Sequence, residues 1–128
     1  MCIRDSVLIV HGDDGLDEIT ITGSTTISEL KNYKINQYKI SPKDFGLSTA
    51  DFSEISAQTP EESLLLVREA FAGEKSPIQD MIALNAGAGL YVARKTESIA
   101  DGVELAFDLM NSGKAADKLA AYVRVSNS

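Results

Sequence analysis

The sequence predicts an α/β fold: a partial sheet of short strands in the N-terminal half, followed by about four packed helices. Three observations carry this reading. Val7-Leu8-Ile9-Val10 is a continuous apolar run of strand length, and Ile19-Thr20-Ile21-Thr22 alternates with a period of two. From residue 59 onward the apolar spacing turns helical. Thr59-Pro60, Ser76-Pro77 and Ser98 punctuate that half as helix starts.

Each element has its own justification. Val7–Val10 is apolar on both faces of the pleat, which predicts burial between helices with a neighbour on each edge. Ile19–Thr22 reads as a second strand, broken by Gly23-Ser24. Lys34–Ile40 is a third, with Ile35, Tyr38 and Ile40 as apolar members, and Asn32-Tyr33 before it reads as a turn. Ser41-Pro42-Lys43-Asp44 reads as one helical turn with a serine cap and proline in the first position. Residues 48–58 carry no pattern.

Thr59-Pro60-Glu61-Glu62 fits a capping box, and its helix runs to about Ala72 with Gly73 as left-handed C-terminal cap. Ser76 opens a long helix ending near Arg94-Lys95, where positive charge suits the dipole. Ser98 opens a third helix with Val103, Ala106, Phe107 and Met110 on one stripe. Ser112-Gly113 separates it from a fourth, carrying Ala115, Leu119, Tyr122 and Val123.

Bulk composition bounds the function. A chain of 128 residues with 44% hydrophobic content suits one globular domain. Residues 7–128 are assigned to it, and residues 1–6 read as a non-native leader. Twelve basic against nineteen acidic residues give a net charge of −7, which argues against a nucleic-acid or anionic-membrane surface. No apolar run approaches the ~20 residues of a transmembrane helix. Cys2 is the only cysteine, so there is no internal disulfide and no cysteine zinc cluster; a cytoplasmic location is expected.

The most informative stretch is His11-Gly12-Asp13-Asp14-Gly15-Leu16-Asp17-Glu18, directly after the first apolar run. Four carboxylates fall within six residues, with Gly15 between them. Carboxylate oxygens are hard ligands suited to Mg²⁺, which usually takes one or two of them plus waters and substrate phosphates. The spacing is not that of an EF-hand, since the sixth position from Asp13 is Glu18 and the twelfth is Ser24. Asp17 and Glu18 are adjacent, so on an extended segment they would point opposite ways; sharing one ion requires a turn or bridging water.

Other motifs carry less. Gly113-Lys114-Ala115 lacks the upstream glycine of a phosphate-binding loop. Asn85-Ala86-Gly87-Ala88-Gly89 lies inside a helical pattern, where small residues permit close helix packing. His11, the only histidine, reads as a packing or loop hydrogen-bonding residue.

The segment V-L-I-V-H-G-D-D-G-L-D-E-I-T at 7–20 resembles the strand and acidic loop of the anthranilate phosphoribosyltransferase family. Y-K-I-S-P-K-D-F-G-L at 38–47, T-P-E-E-S at 59–63 and A-L-N-A-G-A-G-L-Y-V-A at 83–93 follow in the family's order. S-I-A-D-G-V-E-L-A at 98–106 and S-G-K-A-A-D-K-L at 112–119 complete the series. The resemblance implies the C-terminal part of the nucleoside phosphorylase/phosphoribosyltransferase catalytic domain. It implies transfer of phosphoribosyl from phosphoribosyl pyrophosphate to anthranilate, with release of pyrophosphate, Mg²⁺ as cofactor and a homodimeric parent. Carried over, the metal ligands are Asp17 and Glu18; no catalytic residue is carried over.

Other family motifs have no counterpart in the sequence. These are the glycine-threonine-glycine-glycine-aspartate loop, the lysine-histidine-glycine segment, the arginine that meets anthranilate and the N-terminal helical domain. The chain is therefore expected to be the C-terminal portion of a longer enzyme, inactive alone. The alternative is a stand-alone, non-catalytic module of the same fold that binds metal or a protein partner. The related pyrimidine-nucleoside phosphorylases fit the C-terminal helices less well.

Overall fold

A computed structural model of the chain describes residues 5–128. Three strands, β1 (Ser6–Gly12), β2 (Thr25–Lys31) and β3 (Lys34–Ile40), form an antiparallel meander in the order β1-β2-β3. Four helices follow: α1 (Pro60–Phe71), α2 (Pro77–Val92), α3 (Ile99–Asn111) and α4 (Lys114–Ser126). Single 3₁₀ turns at Pro42–Phe45 and Phe52–Glu54 lie in the long connection between sheet and helices. The predicted architecture is present. The expected leader lies partly outside the described residues (1–4), while Ser6 is the first residue of β1, opposite Lys31.

β3 has the bounds read from the sequence. Asn32 and Tyr33 both take positive φ, 53° and 64°, the requirement of a two-residue hairpin whose twist matches its strands. The second strand is a correction: it is Thr25–Lys31, not Ile19–Thr22. Ile19–Thr22 is irregular yet buried, because side chains satisfy its backbone. Asn85 takes both polar groups of Ile19, the Thr25 hydroxyl accepts the Thr20 N–H, and the Thr20 hydroxyl accepts the Thr22 N–H. A buried segment needs its polar groups paired, not a strand beside it.

β1 also differs from expectation. Leu8 and Val10 face the core with Ile27, Tyr38 and Ile40, but Ile9 on the opposite face is 67% exposed. Helices cover one face of the sheet, so a run apolar at every position leaves alternate residues in water. Among the described residues β1 has no strand on its outer edge.

The helices begin as their caps predict. The hydroxyls of Thr59, Ser76 and Ser98 accept the N–H groups of Glu62, Gln79 and Asp101 at 3.0–3.1 Å. The small residues of the 85–89 segment do permit close packing. A Cβ on Gly87 would lie 2.5 Å from the Val103 nitrogen, and one on Gly102 would lie 2.2 Å from the Gly87 carbonyl oxygen. α2 and α3 therefore cross with backbones in contact. Ile19, Ile21, Ile27, Leu84, Val103 and Met110 fill the core between this pair and the sheet. Among the described residues no helix is long and apolar enough to cross a membrane.

Candidate functional site

The acidic loop leaves the end of β1 as a tight, self-bonded turn. The Gly12 N–H donates to the Leu16 carbonyl and the Gly15 N–H to the Gly12 carbonyl, each at 2.9 Å. The Asp13 N–H crosses to the Ser24 carbonyl at 2.9 Å. Gly15 sits at φ +97°, a conformation that favours glycine. A Cβ on Gly12 would lie 2.5 Å from Asp14 Oδ1, which folds back over it, so a larger residue there would displace that carboxylate.

The four carboxylates separate into two kinds. Asp14 holds the loop together, accepting the Leu16 N–H at 3.1 Å, the Thr20 hydroxyl at 2.6 Å and the Thr22 hydroxyl. Partial burial raises its pKa, but the Thr20 and Thr22 hydroxyls and the Leu16 N–H outweigh that and hold the carboxyl below its ordinary range. Asp13 is committed to the sheet, accepting from Lys39 Nζ at 2.8 Å and the Thr26 hydroxyl at 3.0 Å. Those two bonds hold its pKa down.

Asp17 and Glu18 are exposed, and neither side chain has a hydrogen-bond or ion-pair partner among the described residues. The chain bends at both positions. It is not extended there, so the alternation of adjacent side chains on a strand does not apply to this pair. Two unengaged carboxylates suit a hard cation. Among the described residues no three His, Cys, Asp or Glu side chains sit close enough to hold a metal ion. This donor set fits Mg²⁺, which keeps waters and phosphate oxygens for most of its shell.

Sequence reasoning missed the residues that hold this loop. Thr20, Thr22 and Lys39 divide the carboxylates into engaged and free. The hydroxyl-rich run Thr20-Ile21-Thr22-Gly23-Ser24-Thr25-Thr26 was the available signal, since short hydroxyls favour local backbone bonding. Asn85 was missed too. Its Oδ1 accepts the Ile19 N–H at 2.9 Å and its Nδ2 donates to the Ile19 carbonyl at 2.8 Å. His11, expected to pack or to hydrogen-bond the loop, is exposed, and its side chain makes no hydrogen bond among the described residues. Being an odd member of β1, it shares the outer face with Thr26 and Lys39.

The glycosyl transferase family, a/b domain, matches residues 2–116. The chain belongs to that family. Within the glycosyl transferase family it is similar to the anthranilate phosphoribosyltransferase of Alkalilimnicola ehrlichii, 49% identical over 118 residues, which are 92% of this chain and 35% of the relative. The corresponding protein of Halorhodospira halophila is 44% identical over 119 residues, again 35% of its length. Thus the chain spans about a third of the curated relatives it matches.

The fold agrees. The crystal structure of the anthranilate phosphoribosyltransferase of Thermus thermophilus superposes with a TM-score of 0.86 at 36% identity, covering 96% of this chain and 36% of that one. The Saccharomyces cerevisiae enzyme in complex with PRPP and Mg superposes with a TM-score of 0.82 at 25% identity, over 96% and 36% of the two chains.

Proposed function

We propose that this chain supplies the metal-holding third of an anthranilate phosphoribosyltransferase. The complete enzyme would transfer the phosphoribosyl group of phosphoribosyl pyrophosphate to anthranilate and release pyrophosphate. The observation that carries the reading is the division of the loop's carboxylates. Asp13 and Asp14 are engaged by Lys39, Thr26, Thr20 and Thr22, whereas Asp17 and Glu18 are exposed and unpartnered among the described residues. Membership of the glycosyl transferase family supports it, as does the similarity to a relative whose structure contains PRPP and Mg.

The chemistry follows from the donors. Breaking the bond between ribose C1 and pyrophosphate develops negative charge on the leaving group. Mg²⁺ supplies neutralisation and orientation of that charge when bound. Asp17 and Glu18 would hold it, each through carboxylate oxygens. Asp14 contributes indirectly: its bonds to Leu16, Thr20 and Thr22 keep the loop in one conformation and so keep the pair in place. A lone cysteine fits a reducing compartment, and a cytoplasmic setting belongs to the same proposal. The stand-alone module is the weaker reading, because the relatives and solved structures named above are all enzymes of this one class.

Positioning of both substrates supplies much of the rate in such a transfer. The sequence carries no counterpart of the family's motifs for phosphoribosyl pyrophosphate or anthranilate. The isolated chain is therefore expected not to consume anthranilate when supplied with phosphoribosyl pyrophosphate and Mg²⁺, followed by anthranilate fluorescence. Turnover at the rate of an ordinary enzyme would contradict the proposal that it is one third of the machinery.

A further inference from the structure

Asn85 is the side chain through which α2 grips the acidic loop. Its Oδ1 accepts the Ile19 N–H at 2.9 Å, and its Nδ2 donates to the Ile19 carbonyl at 2.8 Å and to the Met81 carbonyl at 3.0 Å. The amide thus acts as a strand partner for a single residue, the one directly after Glu18. The Ile19 side chain is 2% exposed and sits in the core, so that residue is fixed by both its backbone and its side chain. On the other side, Leu16 is held by Asp14 Oδ1 at its N–H and by the Gly12 N–H at its carbonyl. Asp17 and Glu18 are therefore a two-residue span between two anchored residues. Mg²⁺ demands near-octahedral geometry at about 2.0–2.1 Å, so its ligands tolerate little drift.

We propose that Asn85 is a positioning residue for divalent-cation binding by Asp17 and Glu18, acting through the backbone of Ile19. This rests on the metal role assigned to that pair above. A purely structural Asn85, which only satisfies buried polar groups, would change stability and leave cation affinity alone. Gln79 provides the control. It is an amide on the same helix, 1% exposed where Asn85 is half-buried, but it donates to the Ala70 carbonyl at 3.1 Å and to Asn111 Oδ1 at 3.2 Å, on α1 and α3 and not on the loop.

The test is a titration of the ¹⁵N-labelled chain with Mn²⁺ alone, read as paramagnetic broadening of backbone amide signals, with hydrogen exchange at Ile19 as a second readout. In the wild type, amides of residues 15–19 are expected to broaden first, and Asp17→Asn with Glu18→Gln abolishes this. Asn85→Ala should need about tenfold more Mn²⁺ and should expose the Ile19 amide to faster exchange. Gln79→Ala should lose thermal stability yet titrate as wild type. Asn85→Ser keeps a hydroxyl for one of the bonds; it should fall between wild type and Asn85→Ala and serves if the alanine variant does not fold. Wild-type affinity in either Asn85 variant, with the loop still broadened, would overturn the positioning role and leave the metal reading standing. Absence of any loop broadening in the wild type would overturn the inference, which requires the pair to take the cation without substrate phosphates; the metal reading in the complete enzyme is tested separately by Mg²⁺-dependent turnover.

Discussion

Asp14 is the residue on which the acidic loop is built. It receives one backbone N–H and two threonine hydroxyls, all from within eight residues of chain. Because its pKa is lowered on folding, its contribution to stability is full above the ordinary carboxylate range. It is lost as pH falls through the lower folded value. Asp14→Asn keeps an acceptor but loses the charge, and should cost about 1 kcal/mol at pH 7, a modest figure for a solvent-screened site. The gap between wild type and variant should close as pH falls below the ordinary carboxylate value of 3.8. Urea unfolding of both proteins above and below that pH checks it; a gap that does not change with pH would show that the charge is unimportant. At this scale the sequence was half legible. Four acids after a strand pointed to a loop that could hold a metal, but nothing in their spacing said which were engaged. Lys39, which engages Asp13, lies 26 residues away and is brought there by the hairpin register that sets Thr26 opposite both His11 and Lys39.

Among the elements, the crossing of α2 and α3 is the most tightly specified. An alanine at Gly87 or Gly102 must push against backbone, since its nearest atom is the Val103 nitrogen at Gly87 and the Gly87 carbonyl oxygen at Gly102, neither of them the end of a flexible side chain. Either substitution should destabilise by about 3 kcal/mol. Gly89 on the same helix meets nothing within 4 Å, so Gly89→Ala should stabilise by about 0.5–1 kcal/mol through helix propensity alone. Thermal unfolding followed by circular dichroism distinguishes these opposite signs, and a loss at Gly89 equal to that at Gly87 would refute the packing account. Elements with strong local codes were legible: the caps at Thr59, Ser76 and Ser98 and the Asn32-Tyr33 turn act through near neighbours. β2 was not. Thr25–Lys31 has one fully buried apolar residue, Ile27, and is a strand because β1 and β3 flank it. Ile19–Thr22 alternates like a strand because Ile19 and Ile21 enter the core, while Asn85 and the threonine hydroxyls take the place of a partner strand.

On the scale of the whole molecule, apolar surface is left over. Ile9 and Ile35 are 67% and 76% exposed on the outer face of the sheet. A wholly apolar cavity of about 370 Å³ opens among Phe71, Ile82, Leu90, Leu109 and Met110. With the outer edge of β1, which no strand covers among the described residues, these surfaces favour association. Light scattering across a concentration series should show growing particle mass, and Ile9→Lys with Ile35→Lys should reduce it. A monodisperse monomer at every concentration would contradict this.

The central claim is that Asp17 and Glu18 hold the metal of a phosphoribosyl transfer when the rest of the enzyme is present. The most direct measurement grafts this chain in place of the matching third of the Alkalilimnicola ehrlichii relative, to which it is 49% identical. Anthranilate consumption by the chimera is then followed against Mg²⁺ concentration. The account predicts Mg²⁺-dependent turnover in the chimera, and loss of that dependence together with most of the rate when Asp17→Asn and Glu18→Gln are introduced into a chimera that still folds. An unchanged Mg²⁺ dependence and rate in the double variant would contradict it.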